Sequence, residues 1–216
     1  MDFQQGQVYH VFNRGNNSQA VFFNHENYLF FLEKLRKHIL PHADILAWCL
    51  MPNHFHLMIS INRVEIEISS ASEGFTLSGV SEGFTQSETL TKSSRKRTLN
   101  DSIGIILRSY SRAIQKQEKT TGSLFQKETK ALCLTEPQGV SPAYFNTHFG
   151  MVGNLDLPET NYLNVCFDYI HLNPVSGKLV TGSEDWEFSS YRDYFCGRKG
   201  KLVNRELANE LGLIDV

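Results

Sequence analysis

Hydrophobic positions along the chain change period several times, and each change marks an element. Val8-Tyr9-His10-Val11-Phe12 is a short apolar, β-rich run closed by the turn formers Asn13-Arg14-Gly15-Asn16-Asn17, so it predicts a first strand with Arg14 at its end. Tyr28, Leu29, Phe31, Leu32, Leu35 and Ile39 then recur at three- and four-residue spacing behind Asn24, a good N-cap, which predicts an amphipathic helix ended by Pro41. Apolar runs from Ile45 to Leu50 and from Phe55 to Ile61, on either side of Pro52-Asn53, predict a hairpin of buried strands. The order so far is strand, helix, strand, strand.

Residues 63 to about 98 break this pattern. Ser72-Glu73-Gly74-Phe75-Thr76 returns as Ser81-Glu82-Gly83-Phe84-Thr85 inside a Ser/Thr/Gly/Glu-rich tract. Two copies are too few for a solenoid and the composition cannot bury a core, so a mobile surface insertion is expected. Beyond it, Ile103, Ile106, Leu107, Tyr110 and Ile114 predict a second helix from about Leu99 to Lys119, with its cap at Asn100 or Ser102. Arg108, Arg112, Lys116 and Lys119 fall on its wet side. Ala131 to Leu134 predicts a fourth strand, and 135–158, rich in Pro and Gly, a long loop. A third helix is expected from about Glu159 to Leu172, stopped by Pro174. The tail carries Asp185 to Tyr191, a basic Gly-rich turn at 197–201 and a short helix from Asn204 to Leu211.

Length and composition add bounds. A chain of 216 residues with ordinary apolar content fits one domain with appendages: 1–180 as the main unit, which carries the 63–98 insertion, and 181–216 as an extension packed on it. No apolar run approaches the roughly 20 residues that cross a bilayer, and the N-terminus lacks basic and apolar leader regions, so the expected location is cytoplasmic. Cys49, Cys133, Cys166 and Cys196 form no CxxC and are expected as reduced thiols. Net charge is -2, yet between Lys92 and Lys130 ten basic residues face three acidic ones, giving +7 there and -9 elsewhere. Such a segment is a footprint of a phosphate-binding surface, and a solvated helix face explains part of it.

Candidate chemistry begins with His54-Phe55-His56. Alternation along a strand points both imidazoles to one face and Phe55 to the other, so the pair could share a divalent metal. Alone, such a pair is more often incidental. Tyr169 and Asn173, four apart on the third helix, share a face, so a phenol nucleophile and an amide ligand could sit together. Taken with the hairpin, they complete what a single-tyrosine phosphodiester transesterase needs.

These residues carry a resemblance. Tyr9-His10-Val11 with Arg14-Gly15, Leu50-Met51-Pro52-Asn53-His54-Phe55-His56-Leu57, Gly122-Ser123-Leu124-Phe125-Gln126, Tyr169-Ile170-His171-Leu172-Asn173-Pro174-Val175, and Trp186 with Ser189-Ser190-Tyr191 come in the order seen in REP-associated tyrosine transposases, a branch of the single-tyrosine HUH transposases. The resemblance implies an α+β, ferredoxin-like sandwich: an antiparallel sheet with helices packed on one face. It implies that His54, His56 and Asn173 hold Mg²⁺ or Mn²⁺ and that Tyr169 attacks single-stranded or hairpin DNA, leaving a 5′-phosphotyrosine link that a 3′-hydroxyl can reverse. The expected activity is that of a transposase-like DNA nickase and strand transferase. Arg14, Arg108, Arg112, Lys116, Lys119, Lys127 and Lys130 are the candidate DNA contacts. Lys127-Glu128-Thr129-Lys130 departs from the family, where a basic stretch follows Gln126. Two readings stand beside this one: a domesticated, non-catalytic nucleic-acid-binding protein, and a small metallohydrolase using water. Whether one chain completes the site or a homodimer does is left open.

Overall fold

The computed structural model describes residues 1–68, 95–135, 144–147, 150–153 and 162–214, the backbone alone for 144–147 and 150–153. Its elements are β1 (Val8–Arg14), α1 (His25–His38), β2 (Ala43–Met51), β3 (His54–Ile61), β4 (Glu65–Ile68), β5 (Arg95–Thr98), α2 (Leu99–Glu118), β6 (Lys130–Cys133), β7 (Tyr144–Thr147), β8 (Gly150–Gly153), α3 (Tyr162–Ser176), α4 (Tyr191–Phe195) and α5 (Arg205–Glu210). The main sheet runs β2-β3-β1-β6 and every pairing in it is antiparallel. With α1 between β1 and β2 and α2 between β3 and β6, this is the ferredoxin-like order expected.

The two faces of the sheet separate cleanly. Tyr9, Val11, Phe55, Leu57 and Ile59 meet Phe31 and Leu35 of α1 and Ile103, Ile106, Tyr110 and Ile114 of α2 in one core. Val8, Cys49, Met51 and Met58 meet Cys166, Phe167 and Ile170 of α3 in a second. Thus α1 and α2 lie on one face, as the fold requires, and α3 with the C-terminal segment covers the other. In β2 a bulge between Ile45 and Ala47 resets the alternation. Ile45 and Trp48 therefore face one core while Leu46, Ala47 and Cys49 face the other.

The outer edge of β2 does not stay bare. Leu50 N–H donates to Phe188 O at 2.9 Å, Ser190 N–H to Trp48 O at 2.9 Å and Asn204 N–H to Ile45 O at 2.9 Å. The tail thereby satisfies backbone groups that an open edge would present to another chain.

Several local expectations change. Thr98, not Asn100 or Ser102, caps α2, closing a capping box with Asp101. β5 delivers the chain directly into that cap, so the helix starts where the strand ends. The ends of the 63–98 segment pair as β4 and β5, with Lys96 Nζ 3.3 Å from Glu65 Oε2. The repeated pentapeptides lie outside the described residues. Part of the expected 135–158 loop is the β7–β8 hairpin. Helix α3 passes through Pro174 to Ser176, and its first expected residues, 159–161, lie outside the described ones. Proline removes one amide from the last turn, where Gly177 N–H still reaches Asn173 O at 2.8 Å and Leu179 N–H reaches Pro174 O at 3.0 Å. The packing of Cys166, Phe167 and Ile170 holds that turn in place.

Phe55 sits 5.1 Å from Phe31 and 6.1 Å from Phe125, ring centre to ring centre, and is 2% exposed. Truncation would leave a cavity directly beneath the strand position shared by two histidines. Phe55→Ala is expected to lower stability by about 3–5 kcal/mol in chemical denaturation.

Candidate active site

Register fixes what meets on the face beneath α3. In the β1–β3 pairing Arg14 lies opposite His54, Phe12 opposite His56 and His10 opposite Met58. Because alternate residues share a face, β1 supplies His10, Phe12 and Arg14 where β3 supplies His54 and His56. Helix α3 brings Tyr169 over them. Its ring centre is 5.3 Å from that of His56 and 6.0 Å from that of His10, edge to face in both cases. Asn173, one turn on, places Oδ1 3.3 Å from His54 Nε2. Its Nδ2 donates to Tyr169 O at 3.2 Å, and that bond orients the amide so that the oxygen faces the imidazole. The four residues singled out from sequence for chemistry thus lie together.

Protonation follows from burial. His56 is 5% exposed and His10 2%. Loss of hydration opposes imidazolium, pushing His10 down to about 3 and His56 well below the ordinary histidine range; nearby His10, His54 and Arg14 push His56 further down. Both rings are therefore neutral near pH 7. His10 Nε2 and His56 Nδ1 share a hydrogen bond of 2.9 Å. Neither His56 Nε2 nor His10 Nδ1 has a hydrogen-bond partner among the described residues.

The donor set suits a divalent cation. His54 Nδ1 stands 2.6 Å from Asn53 Oδ1, while its Nε2 faces the Asn173 oxygen. A neutral imidazole has one proton for those two acceptors. When Nδ1 donates to Asn53, two lone pairs face each other across 3.3 Å, and a second proton or a bound cation relieves them. The unpartnered Nε2 of His56 is a further lone-pair candidate. Among the described residues no three His, Cys, Asp or Glu side chains form a metal-binding group. The Asn173 amide oxygen, 3.3 Å from His54 Nε2, is a further oxygen donor beside the two imidazoles.

The Tyr169 phenol is half-buried, and desolvation raises its pKa above the ordinary tyrosine value; a hydrogen bond from Asn173 and the Arg14 charge pull it back down. Arg14, at the end of β1, thus lies opposite His54 and acts on the phenol through its charge. His171, also on α3, faces elsewhere. It is buried, pushed down to about 3 by desolvation, and its Nε2 is 2.7 Å from Ser190 Oγ.

The candidate DNA-contact residues divide between the faces. Lys130 lies opposite Phe12 in the β1–β6 pairing, with Nζ 6.0 Å from the Phe12 ring. Arg108, Arg112, Lys116 and Lys119 are exposed on α2, which packs on the other face of the sheet. Arg108, Arg112 and Lys127 line a groove of about 710 Å³ between α2 and residues 122–129. That groove joins the site end of β1, where Gln126 N–H donates to Arg14 O at 2.9 Å and Asn13 Nδ2 donates to Gln126 O at 3.2 Å. His10 and Phe12 were not among the residues expected from sequence. The available signal was their even spacing with Arg14 along one strand.

No family model matches the sequence, and no curated protein is similar to it. A solved structure of a REP-associated tyrosine transposase bound to a REP hairpin shares the fold: TM-score 0.52, 13% identity, 94% of this chain and 92% of that one covered. Among the described residues no helix is long and apolar enough to cross a membrane.

The Asn173 bond gives a signed expectation. Hydrogen bonding to the phenolate favours the charged form, so Asn173→Leu should move Tyr169 further above its already raised pKa. Phenolate absorbance titrations, each referenced to the same protein carrying Tyr169→Phe, isolate that one group.

Proposed function

We propose that the chain belongs with the REP-associated tyrosine transposases and that it cleaves and rejoins single-stranded DNA at a hairpin through a 5′-phosphotyrosine link. The observation that carries this is the convergence of a helix tyrosine on two strand histidines, with ring centres 5.3 Å apart at His56, and of an amide oxygen 3.3 Å from His54. The shared fold supports it. A structural or purely binding role would not call for a phenol held against two imidazoles that burial keeps neutral.

His54, His56 and Asn173 are the residues that would hold Mg²⁺ or Mn²⁺. When bound, the ion supplies Lewis-acid polarisation of the scissile phosphate. Arg14 and Lys130, on the same face as the histidines, attract and orient the phosphate backbone. Asn173 holds the Tyr169 end of α3 and, with Arg14, lowers the cost of removing the phenolic proton. The Tyr169 oxygen then forms a bond to phosphorus as the bond from phosphorus to the 3′ oxygen breaks, and the departing oxygen leaves as a 3′-hydroxyl once protonated. Attack by a 3′-hydroxyl reverses these bonds, so no external energy source is needed. The half-exposed Phe12 ring, 5.7 Å from that of His56, offers a surface on which a neighbouring base can stack.

Incubating the protein with end-labelled hairpin DNA and Mn²⁺ tests the proposal. A covalent adduct is expected with the wild type, and Tyr169→Phe should lose at least about a thousandfold in cleavage. Nicked DNA without an adduct would point to water as nucleophile, and retention without cleavage to a binding protein. The single-turnover rate should also climb with pH, about tenfold per unit from pH 6 to 8, because the phenol must lose its proton while His10 and His56 are already neutral there. A flat profile would argue against phenolate attack.

A further inference from the structure

Two buried neutral imidazoles sharing one hydrogen bond leave one ring proton undecided. His10 Nε2 and His56 Nδ1 are 2.9 Å apart, with the rings stacked at 5.1 Å and 24°. In one arrangement His56 Nδ1–H donates to His10 Nε2; His56 Nε2 then carries a lone pair and His10 Nδ1 a proton. In the other, His10 Nε2–H donates to His56 Nδ1, and His56 Nε2 carries a proton and cannot ligate. Both outer nitrogens, His56 Nε2 and His10 Nδ1, are buried and have no hydrogen-bond partner among the described residues. Among the described residues no hydrogen bond at either end dictates the choice, so it is made inside the pair.

We infer that His10 is a positioning residue for the candidate metal site: by accepting the Nδ1 proton of His56, it commits the Nε2 lone pair to the cation. This rests on the metal reading above and names a residue that does not itself touch the ion. A ligating histidine generally needs such an acceptor on its other nitrogen, and losing one typically weakens metal affinity about 10–100-fold. His54 has its own acceptor in Asn53, at 2.6 Å. His56 is buried among β1 and α3 side chains, and among the described residues its ring hydrogen-bonds to His10 alone. The flanking rings hold the geometry: Phe12 stacks on His10 at 4.7 Å and Tyr169 meets it edge on at 6.0 Å. A histidine in the apolar run of β1 thus has a task that a hydrophobic residue could not perform.

Mn²⁺ affinity measured by calorimetry on the full chain, without DNA, tests this. His10→Leu, with its fold checked by circular dichroism and thermal melting, should bind Mn²⁺ about 10–100-fold more weakly. His10→Gln, whose amide oxygen can accept the same proton, should recover part of the loss. Equal affinity in the wild type and His10→Leu would overturn the role of His10 while leaving the metal reading intact. A folded wild type that takes up no Mn²⁺ would overturn both. Should His10→Leu fail to fold, long-range ¹H–¹⁵N spectra of the wild type with Mg²⁺ decide: the proton on Nδ1 of His56 supports the assignment, and the proton on Nε2 overturns it.

Discussion

A strand cannot aim one side chain without aiming its neighbours, and β3 makes the rest of the molecule conform to that. Phe55 must enter the core shared with α1 and α2, so His54 and His56 must enter the layer under α3. The hydrophobic requirement on one face therefore fixes the position of two polar groups on the other. A slip of one residue in the β1–β3 register would turn both histidines into the core beneath Phe31 and Phe55 into the layer under α3. Seven consecutive pairs, from Val8 with Ser60 to Arg14 with His54, hold that register.

The same layering makes the site dry at its floor and open at its rim. His10 and His56 lie where water does not reach, whereas Arg14 is only half-buried and Lys130 is exposed. Charges are thereby confined to the perimeter and neutral nitrogen donors to the centre. An anionic backbone approaching the rim meets cations first, and a low dielectric below strengthens any interaction it makes on arrival. The α2 cations belong to a separate surface on the far face. A duplex or hairpin arm wide enough to touch both would have to wrap the β6 edge, where the groove meets the end of β1.

Much of this was legible in the residues because the signals were local. Alternation in His54-Phe55-His56 and the four-residue step from Tyr169 to Asn173 depend only on strand and helix geometry. The succession of strands and helices along the chain followed from apolar periodicity, and the sandwich topology from the resemblance. What escaped depended on tertiary partners. Thr98 became the α2 cap because β5 ends there, and Pro174 stayed inside α3 because packing outweighs one missing amide. His10 looked like part of an apolar strand, since nothing in Val8 to Phe12 says that His56 lies across the ladder. The bulge at Leu46 is equally silent in sequence, because Ile45 to Leu50 is apolar throughout and either phase of alternation would fit.

Ser190 ties the tail to the helix that carries the phenol. Its hydroxyl accepts from Trp48 N–H at 2.9 Å and lies 2.7 Å from His171 Nε2, so one small side chain pins β2 and α3 together. It follows Tyr169 by twenty-one positions in the sequence. The apolar residues of α3 pack on the sheet without it, and the Ser190 hydroxyl adds a polar tie at His171. The seat of the phenol over the histidines is thereby coupled, through His171 and Ser190, to the closure of a later segment along β2.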